Sequence, residues 1–173
     1  HIDRIPTRER YLVQSLNDGI EDGFEAQETA LREMEAHYPD DKEMLFGIGD
    51  VVFHKEDYDT AAVYFERVVA IDPAFDRALQ HLTWTYMRTS KYEEAARIAQ
   101  EWAERANTAE AHRNFGGALM KLEERDRAME AFAVADAMEP DHYETNMRIA
   151  EVHLMERDLD KTLARLQPML GED

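Results

Sequence analysis

Cysteine is absent from the 173 residues. That excludes disulfides, thiolate nucleophiles and every cysteine-based zinc or iron–sulfur site. It also fits a reducing compartment, so a cytoplasmic location is expected. Long apolar runs are missing too: no stretch reaches the roughly eighteen residues that a membrane-spanning helix needs, and no segment with a signal-peptide pattern opens the chain. The chain begins at His1 rather than Met, as expected of a fragment or processed product. Positive charge is scarce. Twenty Lys and Arg stand against 38 Asp and Glu, a net charge of −18. Such a field repels phosphates and anionic lipid, which excludes nucleic acid and membrane surfaces as partners. The basic residues are mostly Arg, 15 against 5 Lys. This is either a salt-adapted surface or an ordinary acidic helical one, and the second is the simpler reading. What is present in quantity, 44% apolar and 34% charged residues, describes a globular chain able to bury a sizeable core.

Enzyme signatures are also missing. The seven histidines form no H-E-x-x-H pair. Asp57-Tyr58-Asp59 beside His54 lacks the glycine and distal glutamate of a calcium loop. No phosphate loop or nucleophile elbow occurs, and the carboxylates are spread too widely to single out an acid–base pair. Catalysis, a cofactor and a bound metal are therefore not expected.

The chain repeats itself. Pro39 and Pro73 are 34 residues apart, and Pro140 follows 67 later, the length of two further units with a boundary near Asn107. Residues 42–75, 76–108, 109–142 and a shorter 143–170 align in phase. The first carries Leu45, Ile48, Gly49, Val52, Ala61, Phe65, Val68 and Pro73. The second carries Leu79, Leu82, Thr83, Tyr86 and Ala95, then exchanges small for large at Ala99 and Trp102. The third carries Phe115, Gly116, Leu119, Ala128, Phe132, Ala135 and Pro140, with His112 as its weak member. The last offers Ile149, Ala150 and Leu166. Small residues let two helices cross closely, and large ones fill the groove between them. Asp57 and Asp158 are placed to cap second helices, and prolines to end them. Before these units, Tyr11, Leu12, Leu16 and Ile20 suggest a helix over about residues 7–19, and Ala30, Leu31 and Met34 one over about residues 24–38.

This pattern of small and large residues resembles the tetratricopeptide repeat (TPR) family. The resemblance implies an all-α fold, a right-handed superhelical solenoid of about five TPR helix pairs, about ten helices in all. It would form one domain over 1–173, with a degenerate first repeat at about 8–41. The run Thr7-Arg8-Glu9-Arg10-Tyr11 is similar, more loosely, to the start of TPR arrays appended to bacterial signalling proteins.

The resemblance further implies a protein-binding scaffold whose first helices line a concave groove. Carried over residue by residue, the face comprises Phe53 with Phe46, Asp50 and His54, then Arg77, Gln80, His81, Trp84, Met87 and Arg88, then Arg113, Asn114, Met120 and Lys121, then Met147 and Arg148 with Leu154 and Met155. Five cations (Arg77, Arg88, Arg113, Lys121, Arg148) outnumber Glu110, Glu144 and Glu151 there. That favours a carboxylate-bearing peptide or protein, because arginine forks onto carboxylates. Phe53, Met87, Met120 and Leu154 recur at one position as an adaptable apolar stripe, and Trp84 is the candidate anchor. Two alternatives stay open. The cations can pair with neighbouring helices, and the apolar stripe, Trp84 and Trp102 can be inter-helix core. The chaperone-tail clamp of some TPR proteins is not expected, since only Asn114 and Arg148 match it and Glu144 opposes it. A third possibility is self-association as a homodimer, through Leu163, Leu166, Met169 and Leu170 of the last helix.

Overall fold

The computed structural model describes residues 8, 9, 13 and 23–169. The helix expected near residues 7–19 falls almost wholly outside them. The described residues form nine α-helices and no strand: α1 Phe24–Glu35, α2 Lys42–His54, α3 Tyr58–Ile71, α4 Asp76–Arg88, α5 Tyr92–Ala106, α6 Ala109–Lys121, α7 Arg125–Met138, α8 Tyr143–Met155 and α9 Leu159–Leu166. A short 3-10 turn, Gln167–Met169, follows. Among the described residues no helix is long and apolar enough to cross a membrane.

The helix boundaries are chemical. Asp41 accepts from the Glu43 and Met44 amides, Asp57 from Thr60, Thr108 from Ala111 and Asp158 from Lys161. Each cap satisfies amides that the first helical turn leaves without a partner. Three first helices end alike. Glu56, Glu123 and Arg157 take φ of 63°, 61° and 61°. Beyond them the amides of Asp57, Glu124 and Asp158 donate to the carbonyls of Val52, Leu119 and His153. This is the Schellman closure, here without its usual glycine. The second helix α5 ends at Asn107 in the left-handed region, φ 46°, which does the work that proline does at Pro73 and Pro140.

Contacts divide the chain into two compact units, one through Thr89 and one from Ser90. In the first, Leu31 and Met34 of α1, Leu45, Ile48 and Val52 of α2, Ala61, Phe65 and Val68 of α3, and Leu79 and Leu82 of α4 are buried. Glu28 bonds Lys55, and Glu35 bonds both Tyr64 and Arg67, tying α1 to the pair beside it. In the second unit, Leu119 of α6, Ala128 and Phe132 of α7, and Ile149 and Val152 of α8 form one cluster, with Phe115, Met120 and Met129 against it. Ala99 and Trp102 are both buried, so the exchange of small for large in α5 is absorbed inside the core.

Both units use the same crossing. A Cβ placed on Gly49 would lie 2.7 Å from the Phe65 ring, and one on Gly116 2.5 Å from Phe132. Glycine is required there so that an aromatic side chain can fill the crossing.

Candidate functional site

In the first unit α2 and α4 present a cluster centred on His81. Its ring lies 5.0 Å from Phe46, 5.4 Å from Phe65, 6.0 Å from Phe53 and 5.1 Å from Trp84, centroid to centroid. Nδ1 is 2.8 Å from the Arg77 carbonyl, which only accepts, so Nδ1 carries a hydrogen. Nε2 faces Asp50 Oδ1 at 3.2 Å, and His54 Nε2 lies 3.6 Å from the same oxygen. Burial pushes the Asp50 carboxyl up. The His81 hydrogen bond and the charges of His81, His54 and Arg77 outweigh it and hold the group below the ordinary carboxylate range. The Arg77 guanidinium stacks 4.2 Å from the Phe46 ring centroid, a cation–π contact.

Phe53, Arg77, His81 and Trp84 thus come together with Phe46, Asp50 and His54. Phe53 and His81 are half-buried in the cluster. Trp84 is 37% exposed, where packing was the alternative, while Trp102 is buried. Gln80 and Met87 are half-buried on α4, and Arg88 is exposed at its last turn.

In the second unit the expected residues separate in role. Arg113 is only 9% exposed and donates to Glu139 at 2.7 Å. Its charge is committed to its own chain, and it holds the Glu139 carboxyl below its ordinary range. Asn114 is half-buried and donates to the Glu110 carbonyl. Met120 packs on the Phe132 cluster. Lys121 is exposed at the end of α6. Arg148 lies 3.3 Å from Glu151 and 4.0 Å from Glu144. Met147 is 42% and Leu154 55% exposed.

Met147 and Leu154 open into a groove of about 460 Å³ between α8 and α9, lined also by Tyr143, Ala150, Thr162 and Leu166, with Glu144, Arg148 and Glu151 at its edge. Sequence reasoning placed Met147, Arg148 and Leu154 on the first-helix face but did not assign Thr162 or Ala150 to a cavity. The signal was there, since these two stand in register with Ala128 and Gly116 one repeat earlier. A smaller hollow of about 310 Å³ lies among α5, α6 and α7. His112 lines it, and burial pushes its imidazole pKa down.

Two family models, each described as tetratricopeptide repeat, match residues 25–74 and 52–115 and together cover more than half of the chain. The fold is similar to that of MamA (41-end) from Desulfovibrio magneticus RS-1, at 18% identity and TM-score 0.85 over 94% of this chain and 92% of that one. It is also similar to a thermophilic TPR protein of Thermus thermophilus, at 21% identity and TM-score 0.70 over 94% of this chain and 89% of that one. At such identities the likeness concerns the fold. No curated protein matches the sequence.

Proposed function

The chain belongs to the tetratricopeptide repeat family, and from that premise we propose that it is a protein-interaction scaffold, not a catalyst, whose first helices take up a peptide segment of a partner protein. The observation that carries this reading is the exposure of Trp84, Met147 and Leu154 on first helices that already fill their cores from another face, with Leu79 and Leu82 on α4 and Ile149 and Val152 on α8. Solvent-facing tryptophan and methionine of this kind are costly to leave uncovered and are characteristic anchors of protein interfaces.

The charge pattern narrows the ligand. Of the five cations that the family resemblance assigns to first helices, Arg113 and Arg148 in the second unit already hold carboxylates of their own chain and Arg77 in the first rests on Phe46. Arg88 and Lys121 are exposed and remain to meet a carboxylate on the ligand. Apolar anchors come first in this recognition and the carboxylate second.

A random-peptide display selection tests the proposal. Enriched peptides should carry aromatic or aliphatic anchors, and their affinity should fall about tenfold or more on Trp84→Ala, Met147→Ala or Leu154→Ala. Peptides that bind the triple variant as tightly as the parent would overturn it.

A further inference from the structure

The groove between α8 and α9 supports a more specific assignment. Within this unit the α6–α7 pair is covered by a helix: Ile149 and Val152, on one face of α8, pack on Leu119, Ala128 and Phe132. Advance the register by one repeat of 34 residues and Gly116, Met120, Ala128 and Phe132 become Ala150, Leu154, Thr162 and Leu166. Those four residues line the 460 Å³ groove between α8 and α9. The groove is therefore the same seat that holds α8 one repeat earlier, here without an occupant among the described residues. Leu154 in its lining is 55% exposed, and Leu163, in register with the Met129 that packs on the covered cluster one repeat earlier, is 64% exposed.

Repetition fixes the shape of what fits: an α-helix offering branched apolar side chains at i and i+3, as α8 offers Ile149 and Val152. Electrostatics fixes its sign. Glu144 and Glu151 edge the groove and share a single Arg148. Over residues 143–166, from the start of α8 to the end of α9, five carboxylates (Glu144, Glu151, Glu156, Asp158, Asp160) stand against four cations (Arg148, Arg157, Lys161, Arg165), and Arg165 is already paired with Asp136 of α7. The chain as a whole carries −18, so a second copy brings like charge to this end. We infer that the α8–α9 groove is a docking seat for a basic amphipathic helix of a partner protein. The inference deepens the scaffold reading, since Met147 and Leu154 belong to both surfaces, but it names a different occupant and uses α9, which the first-helix face does not.

The test is a titration of the whole chain against a dye-labelled synthetic helical peptide that repeats the Ile149/Val152 spacing and carries lysine on its other faces. It is run beside the same peptide with glutamate for lysine and a third with a central proline. The expected result is saturable binding of the lysine peptide that weakens with salt, with the glutamate and proline peptides at least about tenfold weaker. Leu163→Gln and Leu154→Gln, both at exposed positions, should each reduce binding about tenfold while leaving the urea midpoint near that of the parent. Trp84→Ala, in the other unit, should leave it unchanged. Equal binding of the glutamate peptide would overturn the charge assignment. Loss on Trp84→Ala but not on Leu163→Gln would overturn the seat while leaving the scaffold reading in place. If light scattering finds a dimer that Leu163→Gln dissociates, the occupant is a second copy and the basic partner falls. No binding of the lysine peptide, while display-selected peptides still bind, removes this inference alone.

Discussion

In the α6–α7 pair Phe132 is fully buried against Gly116, and Ile149 and Val152 of α8 close over it. One repeat later, in α8–α9, Leu166 is half-buried beside Ala150 and Thr162, and the same surface opens into a groove. The two pairs share a backbone plan and differ in what lies on top. Where a helix covers the seat, the large residue is aromatic and its neighbour has no Cβ. Where none does, the large residue shrinks to Leu, Gly becomes Ala and Ala becomes Thr. A smaller apolar side chain lowers the cost of leaving a seat in water, and the Thr162 hydroxyl is satisfied within its own helix by donating to the Asp158 carbonyl. The comparison shows how one repeat pattern produces core in one place and a binding surface in another.

The largest expected contrast comes from emptying the two seats in turn. Phe132→Ala should destabilise the protein by about 3–5 kcal/mol, since it removes a fully buried ring from a closed core. Leu166→Ala should cost no more than about 2 kcal/mol, because that side chain is half-buried and its surroundings already open to solvent. Urea unfolding of both variants checks this. Equal losses would mean that the α8–α9 seat is closed in solution. Saturating with a ligand helix should raise the cost of Leu166→Ala toward that of Phe132→Ala.

Adjacent glycines sharpen the same point at smaller scale. A Cβ on Gly116 would meet the Phe132 ring at 2.5 Å, whereas one on Gly117 meets nothing within 4 Å. Gly116→Ala should therefore cost about 1–3 kcal/mol through overpacking. Gly117→Ala should stabilise by about 1 kcal/mol through helix propensity. Thermal melts of the two variants should move in opposite directions.

How much of this could be read in the sequence depends on how far apart the interacting residues lie. The helix pairs were legible because each buried position recurs: Leu45 and Leu79, Ile48 and Leu82, Phe65 and Phe132 stand in register and are buried. Asp57 and Asp158 announced the second helices, and both accept the amide that a cap should. The interaction face was legible only in part. Phe53, Arg77, His81 and Trp84 do meet, but the Asp50 carboxylate between His54 and His81 emerged only when α2 and α4 were set side by side. For Arg113 the sequence leaves pairing with a neighbouring helix open without naming the partner, because Glu139 lies 26 residues away, just past the end of α7. No local spacing rule reaches that far. Arg148 is different, because its partners Glu144 and Glu151 are four and three residues away on the same helix, a spacing that predicts pairing directly.

Asn146 offers a correction to the repeat itself. It occupies the position where Leu45 and Leu79 are buried, is 1% exposed, and neither amide atom meets a partner among the described residues. A buried polar group without a hydrogen bond costs about 1–3 kcal/mol. Asn146→Leu, of similar size and shape, should thus raise stability by about 1 kcal/mol. It would make the uncovered pair more like the covered ones. A lower urea midpoint would mean that the amide is hydrogen-bonded in solution.

The smallest expected effect concerns charge. Arg113 binds Glu139 in the covered pair, whereas Met147 takes the place of Arg113 one repeat later. The Arg113 hydrogen bond holds the Glu139 carboxyl below its ordinary range, against a weaker opposing effect of desolvation. A carboxyl whose pKa is lower in the folded state contributes stability above its unfolded pKa and loses it as the pH falls through the folded one. The Glu139 contribution is therefore in place at neutral pH and disappears in acid, as the pH falls below the ordinary carboxylate range and through the lowered one. Glu139→Gln mimics the protonated group at every pH. Its urea midpoint should lie below that of the parent at neutral pH and converge with it in acid. Because Glu139 is on the surface, the gap should also narrow with added salt. A gap that persists unchanged in acid would show that the side chain acts by packing rather than by charge, and the electrostatic difference between the two pairs would then vanish.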